Sequence, residues 1–370
     1  MKALRLYAGP AARQHLLQNG LSPADIACIP AAAGGPKGLM LGRMDRFLFG
    51  DWLPRSTQPI DLVGASIGAW RMATACLHDN TSAFDRLERD YIAQHYELAP
   101  GEKRPPAHRV SAQFADNLKA FYGGRVAEVL HHPRYRLHII TSRGRHVLSR
   151  PGTWRVPAGY AGAFVSNAIA RKALGGWLQR VVFSSPVGVQ GLLASQAQPM
   201  PFDASDLSTR HVVLTQANFM GALQASCSIP FVLEPVVGIA GAPFGCYWDG
   251  GITDYHLHLQ YQAPAGRAPG LVLYPHFQQR VVPGWLDKAL RWRHPATAAL
   301  SRMLVLAPNP EWVAGLPQGK LPDRTDFTRY SRDFETRSRI WHAAVDASQQ
   351  LVDEFAQWLE APDIRQVHAL

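Results

Sequence analysis

The chain has 370 residues, 47% hydrophobic and 18% charged, with 31 Gly and 28 Pro, a composition that excludes a disordered or fibrous protein and fits a folded one rich in turns. Its formal net charge is +10, from 38 Lys and Arg against 28 Asp and Glu, which favours anionic lipid surfaces, nucleic acid or acidic substrates. The basic residues are scattered and make no nucleic-acid module, so nucleic acid is not an expected partner.

At the N-terminus, Lys2 and Arg5 are followed by Arg13, Gln14, His15, Gln18 and Asn19, which interrupt any apolar stretch. No export signal is expected, and the expected location is cytoplasmic. Ile26 to Pro30 reads as the first buried strand. It runs into the turn Ala33-Gly34-Gly35-Pro36-Lys37-Gly38, after which Leu39, Met40, Met44, Phe47 and Leu48 recur at helical spacing. A second unit follows, with Ile60 to Val63 as strand, Gly64 to Gly68 as turn and Trp70 to Leu77 as helix. This alternation is the sign of βαβ units around a mostly parallel sheet flanked by helices, an α/β fold.

Polar helical patterns come next, at Ser82 to Tyr96 and Ser111 to Tyr122, separated by a loop with Pro100, Pro105 and Pro106. They are expected to form a cap or insertion beside the site. Apolar runs at Leu137 to Thr141, Val181 to Ser184, Val212 to Thr215 and Leu271 to Tyr274 add candidate strands. The best candidate for a membrane span, Val181 to Leu193, is short and holds Ser184, Ser185, Pro186 and Gln190, so a soluble or membrane-peripheral protein is expected. Trp285 to Leu306 mixes Trp, Leu, Arg and Lys, a pattern suited either to a core-packed helix or to docking on an anionic membrane. Phe334, Trp341, Val345, Val352, Phe355 and Leu359 suggest a closing amphipathic helix.

Cys28, Cys76, Cys227 and Cys246 lie far apart and show no ligand spacing. They read as small buried apolar residues in a reducing compartment, and no structural metal is expected.

Three turns carry candidate chemistry. Gly64-Ala65-Ser66-Ile67-Gly68 is a GxSxG pattern between a strand and a helix, the context in which a serine is pushed clear of the backbone as a nucleophile. Gly34-Gly35-Pro36-Lys37-Gly38 offers backbone N–H groups to an oxyanion. It also suits phosphate, although the GxxxxGK[ST] spacing of a nucleotide loop is missing. Trp248-Asp249-Gly250-Gly251 places an acid at the end of an apolar-aromatic stretch, where Asp-Gly is also a common turn. A Ser-His-Asp triad drawing on His256, His258 or His276 remains an alternative.

In this order, and joined by Ala222 to Pro230 (ALQASCSIP), these turns make the chain resemble the patatin-like acyl hydrolases over residues 24–275. The resemblance implies a catalytic domain, placed over 1–280; beyond it nothing is recognised, and the change of pattern is read as a helical C-terminal extension over 281–370 packed on the core. The resemblance also implies a Ser66–Asp249 dyad, with Ser66 as nucleophile and Asp249 as general base, and an oxyanion hole at Gly34, Gly35 and Gly38, with no cofactor. The implied substrate is an acyl ester of a phospholipid, lysophospholipid or acylglycerol; the net positive charge and the Trp-plus-Arg segment at 285–302 add peripheral contact with an anionic membrane as a candidate partner. Ala33, where the family carries glycine, and Asp254-Tyr255-His256, where it carries Asn then Pro, are departures. A non-catalytic lipid-binding protein on the same fold and an esterase or thioesterase for soluble acyl substrates are the alternative readings.

Overall fold

Runs of buried β-branched and aliphatic residues set the sheet. A computed structural model describes residues 2–102, 104–188, 196–263 and 269–370. The strands, in chain order, are β1 (Leu4–Ala8), β2 (Ile26–Ala31), β3 (Ile60–Ala65), β4 (Tyr135–Gly144), β5 (Leu178–Ser184), β6 (Thr209–Val213), β7 (Val236–Val237), β8 (Cys246–Trp248), β9 (Leu271–Pro275), β10 (Met303–Pro308) and β11 (Val367–Ala369). They join one sheet in the order β11-β1-β10-β9-β2-β3-β4-β5-β6, with β8 paired to β4 and β7 to β8. The five central strands, β10, β9, β2, β3 and β4, run parallel. Antiparallel β1 and β5 flank them. Every residue of β3 is buried, as a parallel strand covered on both faces by helices requires. The fold is thus α/β, a mostly parallel sheet between helices.

Each internal strand expected from an apolar run is present, with ends shifted by a few residues. The first strand in the chain is β1, ahead of Ile26. It is short and broken by Arg5, and its pairing with β10 is nonlocal, from Leu4↔Pro308 to Ala8↔Leu304. The division at 280/281 therefore does not separate two units. Residues 281–370 carry helices, including Phe334–Ala347 and Gln349–Glu360, but they also supply β10, which lies between β1 and β9, and β11 at the edge. The wholly buried sequence MLVLAP of β10 explains its place. Before it, the Trp-rich segment forms three short 3-10 turns, Trp285–Asp287, Arg291–Arg293 and Ala298–Leu300, because Pro295 interrupts any longer helix. The closing amphipathic pattern splits into two helices at Ser348, whose hydroxyl donates to the Val345 carbonyl at 2.6 Å.

No described helix is long and apolar enough to cross a membrane. Of the Val181–Leu193 run, the first residues belong to β5 and 189–193 lie outside the described residues.

Candidate active site

Ser66 stands where β3 ends and the helix Ile67–Ala75 begins, at the carboxyl edge of the parallel strands. Open α/β sheets bind ligands at this edge. The turn is tight enough to hold Ser66 at φ 57°, a region that costs a non-glycine residue roughly 1–3 kcal/mol and persists only where its surroundings enforce it. The glycines of the motif allow that enforcement. A Cβ at Gly68 would stand 1.9 Å from the Ala31 carbonyl oxygen, and one at Gly64 would stand 2.4 Å from Cα of Ala69. Both leave room for the helix to cross β2 and β3 at backbone contact.

Asp249 reaches the same point from the other side of the sequence. It follows β8, which is antiparallel to β4 through Ser142↔Trp248. The Ser66 hydroxyl donates to Asp249 Oδ2 at 2.7 Å, while Oδ1 accepts from the Gly251 amide at 2.7 Å. Ser66 and Asp249 are 3% and 4% exposed, so the carboxylate is desolvated yet fully hydrogen-bonded. Gly250 packs on β4 so closely that a Cβ there would meet the Ile140 carbonyl oxygen at 2.0 Å.

The stretch Ala222 to Pro230 binds both members of the pair. Ser226, at the end of the helix Phe219–Ser226, accepts from the Ser66 amide at 2.9 Å and donates to the Ile140 carbonyl at 2.7 Å. The Ser228 carbonyl accepts from the Asp249 amide at 2.9 Å. Sequence reasoning singled out this stretch without assigning roles to Ser226 and Ser228; two serines at the end of an apolar helix were the available signal.

Burial raises the Asp249 carboxyl above its ordinary value. Arg324, the Ser66 hydroxyl, the Gly251 amide and Lys288 oppose that rise. Lys288 is itself lowered to about 8 by burial and by the nearby Arg324 and Lys37. A carboxylate so placed is a better proton acceptor than one in water, while the surrounding cations keep it able to ionise.

Of the glycine-loop residues, Gly35 lines a cavity of about 320 Å³ together with Ser66. Gly34 and Gly38 are buried in the same loop, where added Cβ atoms would lie 2.6 Å from the Phe277 ring and 3.0 Å from the Ile67 side chain, respectively. The loop continues as the 3-10 helix Gly35–Leu41, whose opening N–H groups have no partner within the helix. The cavity walls are mostly apolar, with Trp70, Val110, Phe114, Leu233 and Phe327 among them. Tyr91, Gln94 and Phe114 come from the 82–122 region, so the segments expected beside the site do line it. Arg324, from the polar loop before Phe334, had no sequence signal.

The histidines of the alternative triad lie elsewhere. His256 and His258 hold the carbonyls of Arg280 and Val281 through Nδ1, and His276 is engaged with Gln278. Burial lowers all three, His276 to about 3. A Ser-His-Asp chain does occur at Ser184, His138 and Asp61, with contacts of 2.7 and 3.1 Å. Its members are at most 2% exposed and belong to the interior of the sheet. Asp254 is bound by Arg180 at 2.6 and 2.8 Å, a buried ion pair away from the cavity lining.

Fold and site together define an α/β protein with a serine-carboxylate pair at a strand-to-helix turn, opening on an apolar cavity. No family model and no curated protein matches the chain. Among solved structures the chain is similar to VipD from Legionella pneumophila, at 13% identity and a TM-score of 0.35, over 95% of this chain and 70% of that one.

Proposed function

We propose that the chain is a serine acyl hydrolase of the patatin-like kind, cleaving acyl esters of lipids with Ser66 as nucleophile and Asp249 as general base. The observation that carries this reading is the 2.7 Å hydrogen bond to Asp249 from the hydroxyl of Ser66, which lines the apolar cavity. Asp249 accepts the hydroxyl proton as Ser66 Oγ attacks the acyl carbonyl. Backbone amides of the loop at Gly34, Gly35 and Gly38 are the proposed donors to the oxyanion. As the tetrahedral intermediate collapses, Asp249 returns the proton to the leaving alcohol. Water, deprotonated by the same carboxylate, then releases the acyl group from Ser66. These steps need no cofactor.

The apolar walls suit the acyl chain of a phospholipid, lysophospholipid or acylglycerol. Phe231 and Val232, 48% and 46% exposed at the cavity rim, suit contact with a membrane surface, and the net charge of +10 suits an anionic one. The four buried free thiols suit a reducing, cytoplasmic setting.

Labelling with a fluorophosphonate, alongside hydrolysis of p-nitrophenyl esters, tests the reading. Wild type is expected to label and turn over. Folded Ser66→Ala is expected to do neither, and folded Asp249→Asn is expected to hydrolyse at least about 100-fold more slowly. Folded wild type that neither labels nor hydrolyses esters would overturn the reading in favour of lipid binding without catalysis.

A further inference from the structure

The cavity beside Ser66 combines apolar walls with charge of one sign. Among the described residues its lining includes Arg104, Arg324 and Arg337 and no Asp or Glu. Arg337 is committed to the architecture: it donates to the carbonyls of Ile92 and Gln94 and lies against the rings of Phe327 and Trp341. Arg104 is exposed at the outer part of the lining.

Arg324 is placed differently. It immediately precedes the helix Thr325–Arg329 and is half-buried. Its side chain lies over the glycine loop, where a Cβ added at Gly35 would stand 3.1 Å from Arg324 Nε and 3.6 Å from the Tyr91 hydroxyl. Among the described residues no salt bridge or side-chain hydrogen bond engages its guanidinium. The neighbouring Asp323 is taken by Lys320 at 2.9 Å and by Thr325. A half-buried guanidinium with no paired carboxylate, set beside apolar walls, is open to an anion, and its planar fork matches a phosphate or carboxylate in a two-bond contact.

Building on the hydrolase reading, we infer that Arg324 holds an anionic group of the substrate, a phosphate or carboxylate attached within a few atoms of the scissile ester. The preferred substrate is then an acidic amphiphile rather than a neutral acylglycerol. The position over Gly35 sets the short spacing, because Gly35 belongs to the loop that would hold the ester carbonyl. The acyl chain then runs along Trp70, Phe114 and Leu233. An anion seated there also offsets the pull of Arg324 on Asp249, leaving that carboxylate a stronger base once substrate is bound.

Binding to Ser66→Ala protein tests this without turnover. Dodecyl phosphate and dodecyl maltoside would be titrated below their micelle concentrations, with calorimetric detection. The phosphate amphiphile is expected to bind about tenfold or more tightly than the neutral one. The double variant carrying Arg324→Gln is expected to lose that advantage, and Arg324→Lys to retain part of it, with circular dichroism checking the fold of each. Equal affinity for the two amphiphiles, or an advantage that survives in both folded Arg324 variants, would overturn the inference. So would inorganic phosphate competing as well as dodecyl phosphate does, since the site would then serve a free anion. Fluorophosphonate labelling of wild type keeps the two readings apart. If wild type labels but the anionic advantage is missing, this inference falls alone. If wild type does not label, the hydrolase reading falls while the titration still decides what Arg324 binds.

Discussion

Replacing Asp249 by Asn should make the protein more stable at neutral pH while removing its activity. Burial raises the folded carboxyl above the ordinary 3.8, so the native state holds this proton more tightly than the unfolded chain does. Such a group supports folding below the unfolded pKa, and that support is lost as pH rises through the folded pKa. Each unit of the rise is worth about 1.4 kcal/mol, roughly 2 °C of melting temperature for a domain of this size. Asn keeps an acceptor for the Gly251 amide but replaces the Ser66 contact with a less favourable one, a loss of about 1 kcal/mol. The net gain near pH 8 is therefore small, and the pH dependence is the sharper readout. Melting curves of wild type and Asp249→Asn between about pH 4 and pH 8 should diverge in favour of the variant as pH rises. Wild-type kcat/KM should climb over the window in which that stability is lost. A melting difference that stays flat across this range, or that favours wild type more as pH rises, would refute the reasoning.

Gly68→Ala forces a Cβ to within 1.9 Å of the Ala31 carbonyl oxygen, so the helix after Ser66 must move by roughly 1 Å. A displacement of that size costs about 100-fold in kcat/KM, together with about 1–3 kcal/mol of stability in urea unfolding. Ester hydrolysis within threefold of wild type would show that the turn is not held by this contact. Asp254→Asn breaks its buried ion pair with Arg180, which keeps a second carboxylate partner in Asp206 at 2.7 and 3.0 Å, and should cost about 1–3 kcal/mol in the same unfolding measurement. The fraction that remains folded should label with fluorophosphonate at the wild-type rate, because Asp254 does not line the cavity; slow labelling of that fraction would place Asp254 in the site after all.

What the sequence disclosed was local. Strand, glycine turn and helix follow one another within a few residues at Ile60 to Leu77, so the turn bearing Ser66 could be located from periodicity and glycine spacing alone. Asp249 needed the family resemblance, since a short strand followed by Asp-Gly-Gly has many bland explanations. The remainder depends on pairings that are distant in the chain. β1 is recognisable only beside β10, almost three hundred residues later, and β10 lies in a segment whose Trp and Arg content suits a core-packed or membrane-docking helix rather than a strand. Arg324 sits in a polar loop, and only the folded chain brings it over Gly35. Ser226 acts through the Ser66 amide; two serines at the end of an apolar helix mark the place in the sequence, but not the backbone group that one of them holds.

The site thus divides into two parts held by different means. Ser66 and Asp249 are fixed by backbone approaches in which any side chain at Gly64, Gly68 or Gly250 would collide with main-chain atoms, and the carbonyls of Ile140 and Ser228 complete that frame through Ser226 and the Asp249 amide. The cavity, by contrast, takes much of its wall from side chains of 91–114 and 324–337 that pack from outside the sheet, alongside Trp70 and Leu233. Their replacement changes volume or charge without requiring the strand ends to move. Substitutions in the walls should therefore alter which ester is accepted while leaving the reacting geometry intact, whereas substitutions at the glycines should reduce turnover of every ester alike. The same division explains how Arg324 can select among substrates from a loop with no part in the central sheet: it contributes charge to a pair whose geometry the strands already fix.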